Sequence, residues 1–298
     1  MKILNFGSLN IDFVYYVERF LRPGETAASK NMEVFAGGKG LNQSVALSRA
    51  KVLVFHAGAL GFDGAMLKNF LNENGVDTSL LKESGKRSGH AIIQVDPSGQ
   101  NCILLYGGAN MDMDIDYINS VLAGFGEGDI ILLQNEINLL PDIMGRAHER
   151  GMRIFLNPSP MNSQVFALPL EYVDCFILNE VEAEDICGAG DEDRLLDQLH
   201  KRFPSAEIVL TLGEKGAVCM REGKVYRQAA YSVPVTDTTA AGDTFTGYYI
   251  AAVSEGAGCV EALQRASAAA ALSVSRKGAA QSIPYLDEVL STRLWERP

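Results

Sequence analysis

The chain has 298 residues, enough for one large domain or two moderate ones with a sizeable core. Apolar residues make up 47% and charged residues 21%, which excludes a disordered or collagen-like chain. Lys and Arg number 26 against 37 Asp and Glu, a net charge of -11; this speaks against a general nucleic-acid binder and an anionic-membrane protein, but leaves a small phosphorylated ligand open.

In chain order, residues 2–7 form a short apolar run ending in glycine and read as a strand. Residues 40–50 have helical spacing, 52–57 are strand-like, and 63–74 carry Met66, Leu67, Phe70 and Leu71 on one helical face. Short apolar strands at 129–133, 152–156, 175–178 and 208–212 then alternate with helices at 139–150, 180–187 and 192–203. Such alternation indicates a parallel sheet covered by helices on both faces. A hairpin turning at Glu222 and Gly223 and two Ala-rich helices, 242–255 and 260–274, close the chain. Two segments break the rhythm, at about 12–36 and 88–107, where strands follow one another without helices. Their strands are expected to be antiparallel and to form a small sheet standing off the main layer, a lid over a ligand crevice.

The five cysteines, at 102, 175, 187, 219 and 259, are odd in number and form no Cys-x-x-Cys. Neither a disulfide framework nor a zinc knuckle is expected; buried apolar thiols in a reducing cytosol are. Asp12 interrupts the N-terminus before a signal-peptide core, and no apolar run approaches the ~20 residues of a membrane span.

The P-loop pattern, the dinucleotide GxGxxG after the first strand, HExxH and GxSxG are all missing. The strongest motif is TDTTAAGDTF at 236–245, small residues leading into a long helix. The first amides of a helix lack partners and carry a positive field, so Ala240, Ala241 and Gly242 leave room for an anion there. Asp243, on the first turn, then sits where a carboxylate takes a proton from a hydroxyl while amides stabilise a transferring phosphoryl group. A plain N-cap explains one acid but not the run of small residues. GGKGLNQ at 37–43 permits close backbone approach and supplies Lys39 and Asn42 as donors. GSLNID at 7–12 places Asn10 and Asp12 at the C-terminal end of the first strand, where open α/β sheets bind ligands; an Asx turn is the plainer reading.

These motifs, with PGET at 23–26, GAN at 108–110, LQNE at 133–136, NPSP at 157–160, NEVEAE at 179–184, TLGEKG at 211–216 and SRKGAAQSIP at 275–284, follow the order found in the ribokinase-type carbohydrate kinases. The chain resembles that family over essentially its whole length. The resemblance implies one Rossmann-like three-layer α/β/α domain with a nine-stranded sheet and a small β lid. It implies transfer of the γ-phosphoryl of Mg-ATP to the 5-hydroxyl of D-ribose by a cytoplasmic enzyme, often dimeric through its lid. Asn10, Asp12, Gly38, Lys39, Asn42 and Glu136 would hold the sugar, with Asp243 as base and the amides of Ala240 to Asp243 as anion hole. Asn179, Glu182, Thr211, Gly213, Gly216, Gly242 and Ser267 would meet ATP, Glu182 acting on Mg2+ through water. A monovalent cation, K+, would take oxygens of Asp237, Thr239, Ser273, Arg276, Gly278 and Ser282, with side chains from Asp237 and Ser282. Leu41 stands where the family often has Ala, adding bulk beside the sugar. Kinases of deoxyribose, a ketohexose or adenosine share this pattern. The competing classes are a catalytically silent sugar-binding module, which should lose Asp243 first, and an NAD oxidoreductase, which lacks its glycine fingerprint.

Overall fold

Apart from one three-residue edge strand, the parallel strands of the main sheet are mainly apolar runs, because both of their faces are covered. The computed structural model describes residues 1–292 and 294. Its larger sheet has nine strands: β1 (Ile3–Phe6), β4 (Val54–Leu60), β5 (Leu81–Glu83), β8 (Ile130–Gln134), β9 (Arg153–Asn157), β10 (Val173–Asn179), β11 (Glu207–Thr211), β12 (Ala217–Arg221) and β13 (Lys224–Gln228). The spatial order is β13-β12-β11-β10-β9-β8-β1-β4-β5, parallel from β11 through β5 and antiparallel at β12 and β13.

Alternate residues of each strand feed two separate cores. Leu4, Ile131, Leu133 and Leu156 pack with α3 (Ile115–Leu122), α4 (Leu140–Glu149), α5 (Glu180–Cys187) and α6 (Glu192–Arg202). Ile3, Ile130, Leu132 and Phe155 pack with α1 (Lys39–Arg49), α2 (Ala65–Glu73), α7 (Ala241–Ser254) and α8 (Cys259–Val274). The result is the three-layer α/β/α arrangement that the alternation of elements predicts.

The smaller sheet has the order β3-β2-β6-β7, from β2 (Asn10–Tyr16), β3 (Asn31–Gly37), β6 (Gly89–Val95) and β7 (Asn101–Tyr106). The β2–β3 and β6–β7 pairs are antiparallel as expected, but β2 and β6 run parallel. The correction has a topological reason. β2 follows β1 and β6 follows β5, two parallel strands of the main sheet, so both leave it in the same direction.

Three elements were not legible beforehand: β5, α3 and α9 (Leu286–Ser291). The first is three residues long; α3 starts on an Asp114 cap that accepts from the Tyr117 N–H at 2.8 Å. The expectation of five buried thiols is also corrected: Cys175, Cys219 and Cys259 are buried, Cys187 is half-buried, and Cys102 on β7 is exposed. Among the described residues no helix is long and apolar enough to cross a membrane.

Candidate functional site

The C-terminal ends of β1, β8, β9, β10 and β11 lie side by side, and the residues that follow them converge on the first turns of α1 and α7. These two helices pack unusually closely. A Cβ on Gly247 of α7 would fall 2.4 Å from the Cβ of Ala46 on α1, so only glycine permits the approach. One turn nearer the helix starts, the Asp243 carboxylate therefore meets two α1 amides. Asn42 Nδ2 donates to Oδ2 at 2.9 Å and Gln43 Nε2 to Oδ1 at 2.8 Å. Behind Gln43 the Gln134 amide donates to Gln43 Oε1 at 2.6 Å and to Asn5 Oδ1 at 3.0 Å, a buried chain of amides reaching under the sheet end.

Asp243 is itself buried on the first turn of α7, whose cap Ala240 is held in the left-handed region at φ 58°. The Ala241 N–H donates back to the Thr238 carbonyl at 3.2 Å, which removes it from the expected anion hole. Among the described residues the Gly242 and Asp243 N–H groups have no acceptor, and no atom lies within 4 Å of the place a Gly242 Cβ would occupy. They are the donors that helix geometry leaves open.

On one side of this turn is a cavity of about 220 Å³ lined by Lys39, Asn179, Glu182, Thr211 and Asp243. On the other is one of about 680 Å³ lined by Gly213, Gly216, Tyr231, Phe245 and Ser267. Thr211, Thr238, Ala241 and Gly242 border both. The Ser267 hydroxyl, buried, has no hydrogen-bond partner among the described residues, so a ligand in the larger cavity would satisfy it.

The other sugar candidates cluster around Lys39. Glu136 accepts from the Ser8 hydroxyl and, at 3.1 Å, from the Lys39 N–H. Burial lifts its carboxyl above the usual range, with Ser8 and Lys39 pulling it back. Burial also works against the Lys39 ammonium, but Asp243, Glu136 and Glu182 around it outweigh that and hold its pKa above the ordinary lysine value. Asp12 is pushed up to about 7, first by burial and then by the charge of Glu136. It lies on strand β2 rather than in an Asx turn, over Gly37, where a Cβ would be 2.0 Å from its Oδ2. Gly38, at φ 92°, lies so near β2 that a Cβ there would sit 3.0 Å from the Asn10 backbone nitrogen. Asn10 Oδ1 accepts from Asn110 Nδ2 at 2.8 Å, and Asn110 Oδ1 from the Leu9 N–H at 3.0 Å.

Asn179 and Glu182 form a reciprocal capping box on α5, at 3.0 and 2.9 Å, with Glu182 buried and facing the smaller cavity. These two residues thus start α5, with Glu182 buried rather than exposed to solvent. Gly216 is close against strand β13, where a Cβ would be 2.1 Å from the Gln228 carbonyl.

Five of the six cation candidates lie on two loops that meet at the C-terminal end of α8, and Ser273 is in the last turn of that helix. Asp237 Oδ1 accepts from the Thr239 N–H at 2.9 Å and hydroxyl at 2.6 Å, and Oδ2 from the Gly278 N–H at 3.0 Å. Ser273 and Ser282 pair through their hydroxyls at 3.0 Å, and the Arg276 side chain turns away to Glu288 at 2.6 Å. Asp237 and Ser282 share no hydrogen bond among the described residues, so the structure brings Asp237, Thr239 and Gly278 together more tightly than the full set.

The expectation about Leu41 is corrected. Its side chain is wholly buried in the core between α1 and the sheet, so its bulk is spent on packing. Four residues escaped the sequence reading. Gln43, Gln134 and Asn110 lay inside the quoted motifs but carried no assigned role. Arg49 had no signal at all; its guanidinium reaches the carbonyls of Ala280, at 3.1 Å, and Ile283, and so anchors the loop after α8 to α1.

Known proteins resemble this chain in sequence and in fold. The chain is 35% identical to ribokinase of Haemophilus influenzae over 297 residues, covering 95% of each. Its fold superposes on the ADP complex of ribokinase from Cryptococcus neoformans var. grubii serotype A with a TM-score of 0.85 at 34% identity, covering 97% of this chain and 98% of that one. It superposes on Arabidopsis thaliana ribokinase complexed with ribose and ATP with a TM-score of 0.85 at 28% identity, covering 100% and 99%. A model of the pfkB family of carbohydrate kinases matches residues 1–286, and the chain belongs to that family.

Proposed function

We propose that this chain is an ATP-dependent ribokinase that transfers the γ-phosphoryl group of ATP to the 5-hydroxyl of D-ribose, giving D-ribose 5-phosphate and ADP. The observation that carries the reading is the place of Asp243: a carboxylate clamped by Asn42 and Gln43, beside two free helix amides, where two cavities meet. The ribokinase relatives support ribose as the acceptor.

In this mechanism Asp243 takes the proton of the 5-hydroxyl as that oxygen bonds to the γ-phosphorus and the bond to the β–γ bridging oxygen breaks. General-base help of this kind is worth about 10²–10⁴ in rate. The Gly242 and Asp243 N–H groups, with the Lys39 ammonium, face the transferring oxygens, where charge neutralisation and in-line placement do most of the work. Asn10, Asp12, Asn42, Glu136 and the backbone at Gly38 hold the sugar hydroxyls. Gly213, Gly216 and Ser267 line the nucleotide cleft, and Asn179 and Thr211 border the phosphates.

The buried Glu182 carboxylate would hold, through water, the Mg2+ that accompanies ATP, and that ion would supply charge neutralisation at the phosphates. A monovalent cation, K+, would be held by oxygens of Asp237, Thr239, Ser273, Arg276, Gly278 and Ser282. That all-oxygen donor set suits a hard cation, and the Asp237 tether to Gly278 supports it. The small sheet acts as a lid that excludes water from the reaction. Its outer strand exposes Ile103, Leu104, Leu105 and Tyr106, an apolar row that supports dimerisation lid to lid. An ATP- and K+-using enzyme of this kind belongs in the cytoplasm.

The test is a coupled ADP-release assay over D-ribose, deoxyribose, ketohexoses and adenosine, with the phosphorylated carbon identified by NMR. Ribose-dependent ADP release with phosphate on C5 is the expected outcome. A tenfold preference for another acceptor would reassign the substrate, and no acceptor-dependent release would leave a silent binding module.

A further inference from the structure

Three of the five cysteines, far apart in sequence, gather around one carboxylate at the end of β11 remote from Thr211. Donor atoms of Glu207, Cys219 and Cys259 all lie within 4.8 Å of one another. They come from three elements, the first residue of β11, the middle of β12 and the first residue of α8. Cys175 joins from β10, its Sγ 3.7 Å from Glu207 Oε1. The Tyr249 hydroxyl of α7 donates to Glu207 Oε1 at 2.7 Å and lies 3.4 Å from Cys219 Sγ. Arg221 closes the outer side, Nε at 3.5 Å from Glu207 Oε2. None of these residues borders the two cavities of the phosphoryl-transfer site.

We propose that Glu207, Cys219 and Cys259 form a binding site for a thiophilic divalent cation of the Zn2+ class, separate from the catalytic centre. Two sulfurs and a carboxylate are a donor set for such an ion, with bonds of about 2.3 Å to sulfur and about 2.0–2.2 Å to oxygen. Tetrahedral donors then stand under 4 Å apart, so the cluster has to contract by only about 1 Å. Binding replaces protons: each thiol releases one to solvent as its sulfur bonds to the metal. Two thiolates and one carboxylate against a dication leave one negative charge, which the Arg221 guanidinium offsets. The Tyr249 hydroxyl fixes the carboxylate from behind, as partners of metal ligands commonly do.

The site would act as a clamp. β11 and β12 flank the Gly213–Gly216 turn, and α8 carries Ser267, so one ion would tie together three walls of the nucleotide cleft from their far ends.

The experiment uses the full chain with exposed Cys102 replaced, Cys102→Ser, so that a surface thiol does not compete. The protein is incubated with Zn2+ alone, dialysed against metal-free buffer, and its metal content, thiol reactivity and Tm are measured. The expected result is one Zn2+ retained per chain, protection of two thiols from a disulfide reagent, and a Tm rise on the order of 5 °C with metal in hundredfold excess over Kd. Co2+ in place of Zn2+ should give a sulfur-to-metal charge-transfer band. Cys219→Ala and the volume-conserving Glu207→Gln should each lose retention at least tenfold while ribose-dependent ADP release stays within twofold. If Cys219→Ala fails to fold, Glu207→Gln carries the test alone. A chain that keeps no Zn2+ or keeps it equally in Glu207→Gln overturns the proposal. So does a Cys219–Cys259 pair that is oxidised to a disulfide rather than protected.

Discussion

Gln43 Nε2 and Asp243 Oδ1 meet at 2.8 Å between two helices that are 200 residues apart in sequence. The contact exists because Gly247 lets α7 press against Ala46, and it leaves Asp243 one direction in which to present its carboxylate. Asp243→Asn should keep nucleotide binding, read by ADP titration, and lower kcat by about 10²–10⁴, the range for a lost general base. Gln43→Leu should lower kcat roughly tenfold at nearly constant KM, because it loosens the carboxylate without touching substrate. Near-normal turnover in Asp243→Asn would remove the base from its role.

Gly242 separates structural from functional reasons for a glycine. A Cβ there meets no protein atom, so Gly242→Ala should leave Tm unchanged or raise stability by about 0.5–1 kcal/mol. If the free amide faces phosphate, the same methyl group should raise the KM for ATP and cut kcat/KM by at least tenfold. A variant as active as the parent would show that the anion lies elsewhere.

Gly247 gives the opposite pattern. Gly247→Ala drives a methyl into Ala46, so overpacking should cost about 1–3 kcal/mol and misplace Asp243 as well. Tm and kcat should fall together. A loss of stability with unchanged kcat would mean the α1–α7 spacing does not set the base.

Asp12, which we propose holds the sugar, makes stability depend on pH. Its carboxyl is pushed up to about 7 by burial and by Glu136, against an ordinary value of 3.8. The folded chain therefore holds this proton where the unfolded chain has lost it. That stabilisation is fully present below pH 3.8 and is lost as pH rises through about 7. Asp12→Asn should raise the Tm of the unliganded protein at pH 8 and have little effect at pH 4. In the same variant the KM for ribose should rise more than the KM for ATP. A Tm difference independent of pH would show that Asp12 is not the titrating group.

The loops proposed to hold K+ can be tested directly. Exchanging K+ for tetramethylammonium should lower kcat severalfold, and Asp237→Ala, which frees Gly278 and the Thr239 turn, should abolish the response. A rate indifferent to cation identity in the parent chain would remove the site.

The layers of the fold were legible because parallel strands covered on both faces must be continuously apolar, and that pattern is local. The motif at 236–245 was legible for a similar reason, since small residues at a helix start have no packing purpose that requires them all. β5 was not legible, because three residues of strand carry no periodicity, and the parallel pairing of β2 with β6 depends on where two distant strands emerge. Leu41 stood within a binding motif yet points into the core, because alternate faces of α1 serve sheet and site.

The amino-acid order alone determined the alternation of elements, the off-rhythm strands, and the residue types at the phosphoryl-transfer site. It determined them because strand and helix periods and helix-start chemistry act over a few residues. Only the tertiary structure decided that Gln43 clamps Asp243, that Ala241 has spent its N–H, and that Cys219 and Cys259 lie beside Glu207. Those facts depend on how closely distant helices and strands approach, a distance set by the packing of side chains that are not neighbours in the chain.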